Sequence, residues 1–166
     1  AALMAASPFA SSGGLDVPPY LQLYPDGGMT VMWNTVKPAY SWIEHGETEA
    51  LGQKTDRVVE GMRQANTTRH QVTLPECGRN GLHYRLAWKN ITSYRPYKVE
   101  FDDTEVTDTF QVRAIPGPRE PVRVAIFNDL HDNHPLFAKL TGRIKGFDYD
   151  FSIFNGDCFA DPVSEE

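Results

Sequence analysis

No apolar run in the 166 residues approaches the roughly 18 that a membrane-spanning helix requires, so no membrane span is expected. Clusters of basic residues are also missing. Lys and Arg number 16 against 22 Asp and Glu, a formal charge of −6. Binding to a phosphate backbone runs on clustered cations, so no nucleic-acid-binding surface is expected. Cysteine is scarce: Cys77 and Cys158 are the two present. They fall in segments read below as different domains, so two free thiols are expected, with a pair open to them only in an oxidising compartment. Internal repeats and low-complexity tracts are absent, and between residues 18 and 115 nothing has helical spacing. What is present is an apolar content of 40%, that of a globular chain able to bury a core.

The first residues, Ala1 to Ser12 (AALMAASPFASS), form a small-residue and apolar run. It is like the tail of a secretory h-region and its cleavage zone without the basic n-region, so residues 1–17 are expected to be a flexible tail and the protein to be secreted or periplasmic. Sequons stand at Asn66-Thr67-Thr68 and Asn90-Ile91-Thr92. They carry meaning only for a chain secreted by a eukaryote.

From residue 18 to 115 short half-buried strands alternate with turn residues, the pattern of an all-β sandwich. Tyr20–Tyr24 runs into Pro25-Asp26-Gly27-Gly28, rich in residues that accept positive φ, and Met29–Thr35 alternates faces beyond it: a hairpin. Ser41–His45, Gln71–Leu74, Leu82–Trp88 and Thr109–Arg113 supply further strands. The third of these places Leu82, Tyr84, Leu86 and Trp88 on one side. Trp33, Trp42 and Trp88 at alternating positions are expected in the core, the competing reading being a groove for a sugar or peptide.

Ile115 to Pro121 holds three prolines and a glycine, which neither continue a ladder nor form a helix, so residues 116–121 are read as a linker. The pattern then changes. Val122–Phe127 is strand-like, Pro135–Ile144 has helical spacing with Asp132 or Asn133 as its cap, and Phe151–Phe154 is a second apolar strand. This β-α-β order, over residues 122–166, predicts a parallel pair with a right-handed crossover.

Asp129 and His131 follow the first of these strands, and Gly156-Asp157 follows the second. Ligands of open parallel sheets bind at that edge. Neighbouring strands lie roughly 4.8 Å apart, so groups leaving their ends come within reach of one metal, or of two spaced roughly 3.5 to 4 Å. The i, i+2 spacing sends Asp129 and His131 to one side, and Gly156 frees the approach of Asp157. A carboxylate and imidazole set suits Fe, Mn or Zn better than Ca or Mg.

With these motifs in order, 28 residues apart from Asp129 to Asp157, the chain resembles a calcineurin-like metallophosphoesterase. The upstream segment resembles the fibronectin-III-like N-terminal domain of purple acid phosphatases, in PYLQLYPDGGMTVMWNT, WIEHGET and LHYRLAW. The resemblance implies that Asp129 and His131 bind one metal and that Asp157 bridges two. It further implies that a hydroxide shared by the metals attacks a small phosphorylated substrate, a phosphomonoester or phosphodiester. His131 departs from the purple acid phosphatases proper, whose first motif is G-D-x-G and whose ferric site is coloured by tyrosinate, so no purple colour is expected. The later family motifs, G-N-H-[DE], an isolated His and G-H-x-H, do not occur in the chain. The outer-sphere catalytic histidine is among them, so the catalytic domain is read as incomplete. The complete enzyme is expected to hold two metal ions, this chain alone none or one, and phosphatase activity is not expected of it.

Other residues have plainer readings. His134 is expected in a solvated loop, Cys158 to pack away from the metal, and Asp161 to carry no assigned role. The functional alternative is an extracellular binding or adhesion module in which the sandwich does the work beside a vestigial α/β extension. Two parallel strands and one helix leave sheet surface uncovered, so a missing catalytic portion or self-association is expected to cover it.

Overall fold

The computed structural model describes residues 13–23, 29–74, 81–113, 116 and 119–158. The turn at 25–28, Cys77, Asp161 and the Ala-rich start at 1–12 lie outside the described residues. The chain divides into two compact units, with the boundary between Ile115 and Pro116.

The first unit is all-β and organised by one long strand. β1 (Leu15–Leu23) pairs antiparallel with the start of β2 (Met29–Gly46), with Leu23 opposite Met29, as a hairpin demands. β1 begins inside the segment expected as flexible tail. Pro18 and Pro19 cannot donate to a ladder, and the register breaks between Val17 and Tyr20, where they sit. β2 runs on for 18 residues, so the two strands read at Met29–Thr35 and Ser41–His45 are one. Its partners change midway. β6 (Thr67–Leu74) flanks the first half together with β1, whereas β3 (Gln53–Asp56) and β7 (Leu82–Arg95) flank the second. The register with β6 breaks between Asn34 and Ala39, around the exposed residues Val36, Lys37 and Pro38. The sheet curls there, and both halves of β2 contribute to one core.

Five residues of β2 show the logic of that core. Val31, Trp33 and Thr35 alternate inward from the first half of β2, and Ile43 and His45 come in from the second. From β7, Leu82, Tyr84, Leu86 and Trp88 are all buried, as the alternation predicts. Trp33, Trp42 and Trp88 are buried too, so the tryptophans belong to the core and line no groove.

Short strands complete the unit; the last was read at Thr109–Arg113, and alternation could not reveal the others because most of their residues are exposed. These are β4 (Val58–Val59), β5 (Met62–Arg63), β8 (Lys98–Phe101), β9 (Glu105–Val106) and β10 (Phe110–Val112). β8, β9 and β10 all pair with β7. Asn90 holds the corner where β8 turns back. Its backbone N–H donates to Asp102 Oδ1 at 2.7 Å, and its side-chain amide donates to Asp102 Oδ2 and Glu105 Oε1, both at 2.9 Å. The sequon at Asn90 is therefore buried and engaged, whereas Asn66 is exposed.

The second unit runs β11 (Val124–Asn128), α1 (His134–Ile144) and β12 (Phe151–Asn155), with β11 and β12 parallel and level from Val124 opposite Phe151 to Asn128 opposite Asn155. Asn133 caps α1, its Oδ1 accepting from Leu136 N at 3.0 Å, and Pro135 occupies the first turn, where its missing N–H costs nothing. One sheet face packs on the helix: Phe127 stacks on Phe154 at 5.3 Å between centroids, and Phe137 of α1 meets both rings. Ser152 is buried on that face. The opposite face is bare, with Val124, Ile126 and Ile153 exposed, Ile126 to 59%. At the start of the strands, Arg123 N donates to Asp150 Oδ2 at 2.7 Å and the Arg123 guanidinium pairs with Asp148 at 2.8 Å.

One buried group links the first unit to pH. Burial pushes the His70 imidazole down from its ordinary 6.5 to about 4. The unfolded chain therefore binds a proton that the folded one refuses between those values. The contribution is full above pH 6.5 and is lost as the pH falls through that window toward 4. Urea denaturation should show stability dropping by on the order of 3 kcal/mol across it. His70→Gln should flatten that part of the profile, and an unchanged slope in the variant would assign it to other groups.

Candidate functional site

Beyond the level ends of β11 and β12 the two chains stay zipped. Asp129 N donates to Asn155 O at 3.2 Å, His131 N to Asp157 O at 3.0 Å, and Asp132 N to Cys158 O at 3.1 Å. Asp157 N in turn donates to the Asp129 carboxylate, Oδ1, at 3.1 Å. Residues 26 or 28 apart in sequence are thus cross-linked four times within four residues of chain. Leu130 is buried between Asp129 and His131, anchoring the loop while both neighbours stay exposed.

The backbone takes an uncommon path to do this. Asp129, His131 and Asp132 have φ of 47°, 46° and 56°, in the left-handed region that non-glycine residues seldom visit. Asp and His are among the residues that tolerate it best, which helps explain their presence. Each such residue still costs of order 1 kcal/mol or more, a cost carried by the surrounding packing and common at ligand-binding loops. On the partner strand Gly156 has φ 74°, and a Cβ there would collide with the Asp129 carboxylate. Only glycine meets both demands.

Asp129, His131 and Asp157, the three residues read as ligands, are therefore brought to one spot by the backbone. Their side chains have not converged: among the described residues no three carboxylate, imidazole or thiol groups are close enough together to hold a metal ion. One reason is visible, since Asp129 Oδ1 is turned to the Asp157 N–H. The other residues weighed from sequence sit apart. His134 is the exposed first residue of α1, not part of a loop, and Cys158 carries a half-buried free thiol whose carbonyl accepts from Asp132.

Sequence reasoning missed the Asn128 and Asn155 pair. Asn155 Nδ2 donates to Asn128 Oδ1 at 2.9 Å across the strand ends, directly beneath the two loops. The signal was available: Ile-Phe-Asn occurs at 126–128 and again at 153–155, so both strands deliver identical residues to the same level.

The chain matches no family model, no curated protein and no solved structure.

Gly156→Ala should uncouple the two loops. It adds left-handed strain and forces the Asp129 carboxylate aside, at about 1–3 kcal/mol. Hydrogen exchange should speed up at Asp129, His131 and Asp157, whose amides close the zip, while the amides of β2 and β7 keep their protection. Unaltered exchange at Asp157 would show that the close approach does not hold the loops.

Proposed function

We propose that the chain carries the opening part of a metal-dependent phosphoester hydrolase: a fibronectin-III-like sandwich followed by the first β-α-β unit of a metallophosphoesterase domain. The observation that carries this reading is the zipped pair of strand ends, which delivers Asp129, His131 and Asp157 to the edge where parallel sheets bind ligands. The partner switch along β2 supports the sandwich. β1 and β6 flank one half and β3 and β7 the other, as when two sheets enclose one core.

The donor types at the site fit Fe, Mn or Zn. Asp129 and His131 would hold one ion and Asp157 would be shared with a second. Such ions supply Lewis acidity toward phosphoryl oxygens and a nucleophilic water near neutral pH. The chain's own residues do the positioning. Gly156 keeps the approach open, Leu130 pins the first loop, and the Asn128 and Asn155 pair fixes the level at which both loops leave the sheet. Three ligands are fewer than two ions need, since even one catalytic zinc takes about three protein ligands. The remaining ligands, and cover for the Val124, Ile126 and Ile153 face, come in this reading from a further catalytic portion or from self-association. The substrate is a small phosphomonoester or phosphodiester, and the setting is extracellular or periplasmic.

Calorimetric titration with Mn or Zn should show binding that weakens by at least about tenfold in Asp129→Asn and in Asp157→Asn. Equal binding by both variants would sink the assignment and leave the adhesion-module reading. The 166-residue chain is expected not to hydrolyse p-nitrophenyl phosphate with either metal, because it lacks the G-N-H-[DE] and G-H-x-H motifs. Metal-dependent turnover would show that the three ligands suffice.

A further inference from the structure

Among the described residues β8 pairs with β7 along one edge only, so its other edge presents unpaired backbone groups. Arg95 and Lys98 flank the two-residue turn Pro96-Tyr97 and oppose each other across it. Residues flanking such a turn exchange their backbone hydrogen bonds, so Lys98 turns its N–H and C=O toward β7. Alternation then aims those of Val99 and Phe101 at the free edge. The Asp102 N–H, which donates inward to Asn90 O at 3.0 Å, keeps the same phase.

The side chains of this ribbon sort by polarity. Val99 lies opposite Tyr94 and Phe101 opposite Ile91, so these four share one side, where Tyr94, Val99 and Phe101 are exposed. Tyr40 meets Phe101 edge-on at 6.4 Å and steadies it. Lys98 and Glu100 form an ion pair on the other side. Tyr97, at the turn, is fully exposed and has φ of 66°, a backbone conformation that disfavours a bulky side chain. A contiguous apolar stripe ending in a strained, uncovered tyrosine marks a contact surface better than scattered exposed residues would.

The edge is also complementary to itself. Two β8 strands laid antiparallel keep apolar side with apolar side only when odd-numbered residues oppose odd and even oppose even. Three such registers are centred within the strand. The one centred on Lys98 sets lysine against lysine, and the one centred on Glu100 sets glutamate against glutamate, both unfavourable. The register centred on Val99 sets Lys98 against Glu100 twice, Val99 against Val99, and Tyr97 against Phe101 twice. It also brings the outward N–H and C=O of Val99 to their own counterparts across the axis.

We propose that β8 pairs antiparallel with β8 of a second copy of this chain, about a two-fold axis at Val99, joining two sandwiches edge to edge. Such a contact is closed, because each copy uses the same strand and leaves none over for a third. A lysine on an edge strand ordinarily discourages pairing; here each Lys98 meets Glu100 of the second copy and selects the register instead. The surface is separate from the bare face of Val124, Ile126 and Ile153, and the pairing does not depend on the metal-site reading. One short strand from each copy makes a small interface, of the weak and reversible class.

The test is sedimentation equilibrium and amide NMR of the whole 166-residue chain, with EDTA present so that no metal bridges two molecules. Reversible dimerisation with a dissociation constant of roughly 0.1–1 mM is expected, with dilution moving the amides of residues 97–101. Lys98→Glu and Glu100→Lys should each weaken the dimer by about tenfold or more, since both cross-strand pairs become like-charged. Both positions are exposed, so the rest of the spectrum should stay in place. Mixing the two variants should restore dimerisation, because every opposed pair is then Glu against Lys, and the double variant should regain it alone. A chain monomeric up to about 1 mM would overturn the proposal. So would association untouched by either single variant, dilution shifts confined to β11 and β12, or single variants that stay monomeric when mixed.

Discussion

The level, in-register pairing of β11 with β12 is the constraint on which the candidate site depends. Because side chains alternate with period two, one residue of slip would move Phe154 from the helix-packed face to the bare one and turn Ile153 inward. The three-ring cluster of Phe127, Phe137 and Phe154 opposes that exchange, since the slip would take Phe154 out of its contacts with both other rings. Fixing the register fixes the level of the strand ends. Only then do Asn128 and Asn155 meet, and only then does the Asp157 N–H reach the Asp129 carboxylate. The aromatic packing below and the exposed acids above are one arrangement.

In the first unit the equivalent constraint is the continuity of β2. Two strands joined by a loop would each keep a separate ladder, whereas one strand that changes partners at Val36 to Pro38 ties β1 and β6 to β3 and β7 through its own backbone. Polar groups follow the turn inward. Thr35, Ser41 and His70 lie on both sides of the irregularity and satisfy one another, which is how a buried imidazole is accommodated without a charged partner. Burial alone then accounts for the direction in which His70 titrates.

Much of this was legible from the chain. The alternation in Leu82 to Trp88 identified a core strand because a half-buried ladder leaves that trace, and the helix boundary was readable to one residue from Asn133 and Pro135. The break read between Thr35 and Ser41 coincides with the stretch around Pro38 where the register with β6 is interrupted, although the strand itself continues. β3, β4, β5, β8 and β9 left no trace because they are short and largely solvated. For the site, sequence order and strand placement brought Asp129, His131 and Asp157 together. What they could not convey was the left-handed path of Asp129, His131 and Asp132, nor the turning of one carboxylate oxygen toward a backbone N–H. Those features belong to dihedral angles, which residue types bias but do not specify.

Asn90 has a further consequence, in the chemistry of ageing. Its amide nitrogen lies between Asp102 and Glu105 and donates to both, so it is the neutral member of a cluster whose other members are acids. Deamidation would replace that donor with a third carboxylate and convert two attractions into two repulsions at a buried position. The same bonds immobilise the side chain, and the β-branched Ile91 crowds the approach of the next backbone nitrogen, the attacking group in deamidation. The corner that would suffer most from the reaction is thereby built to resist it.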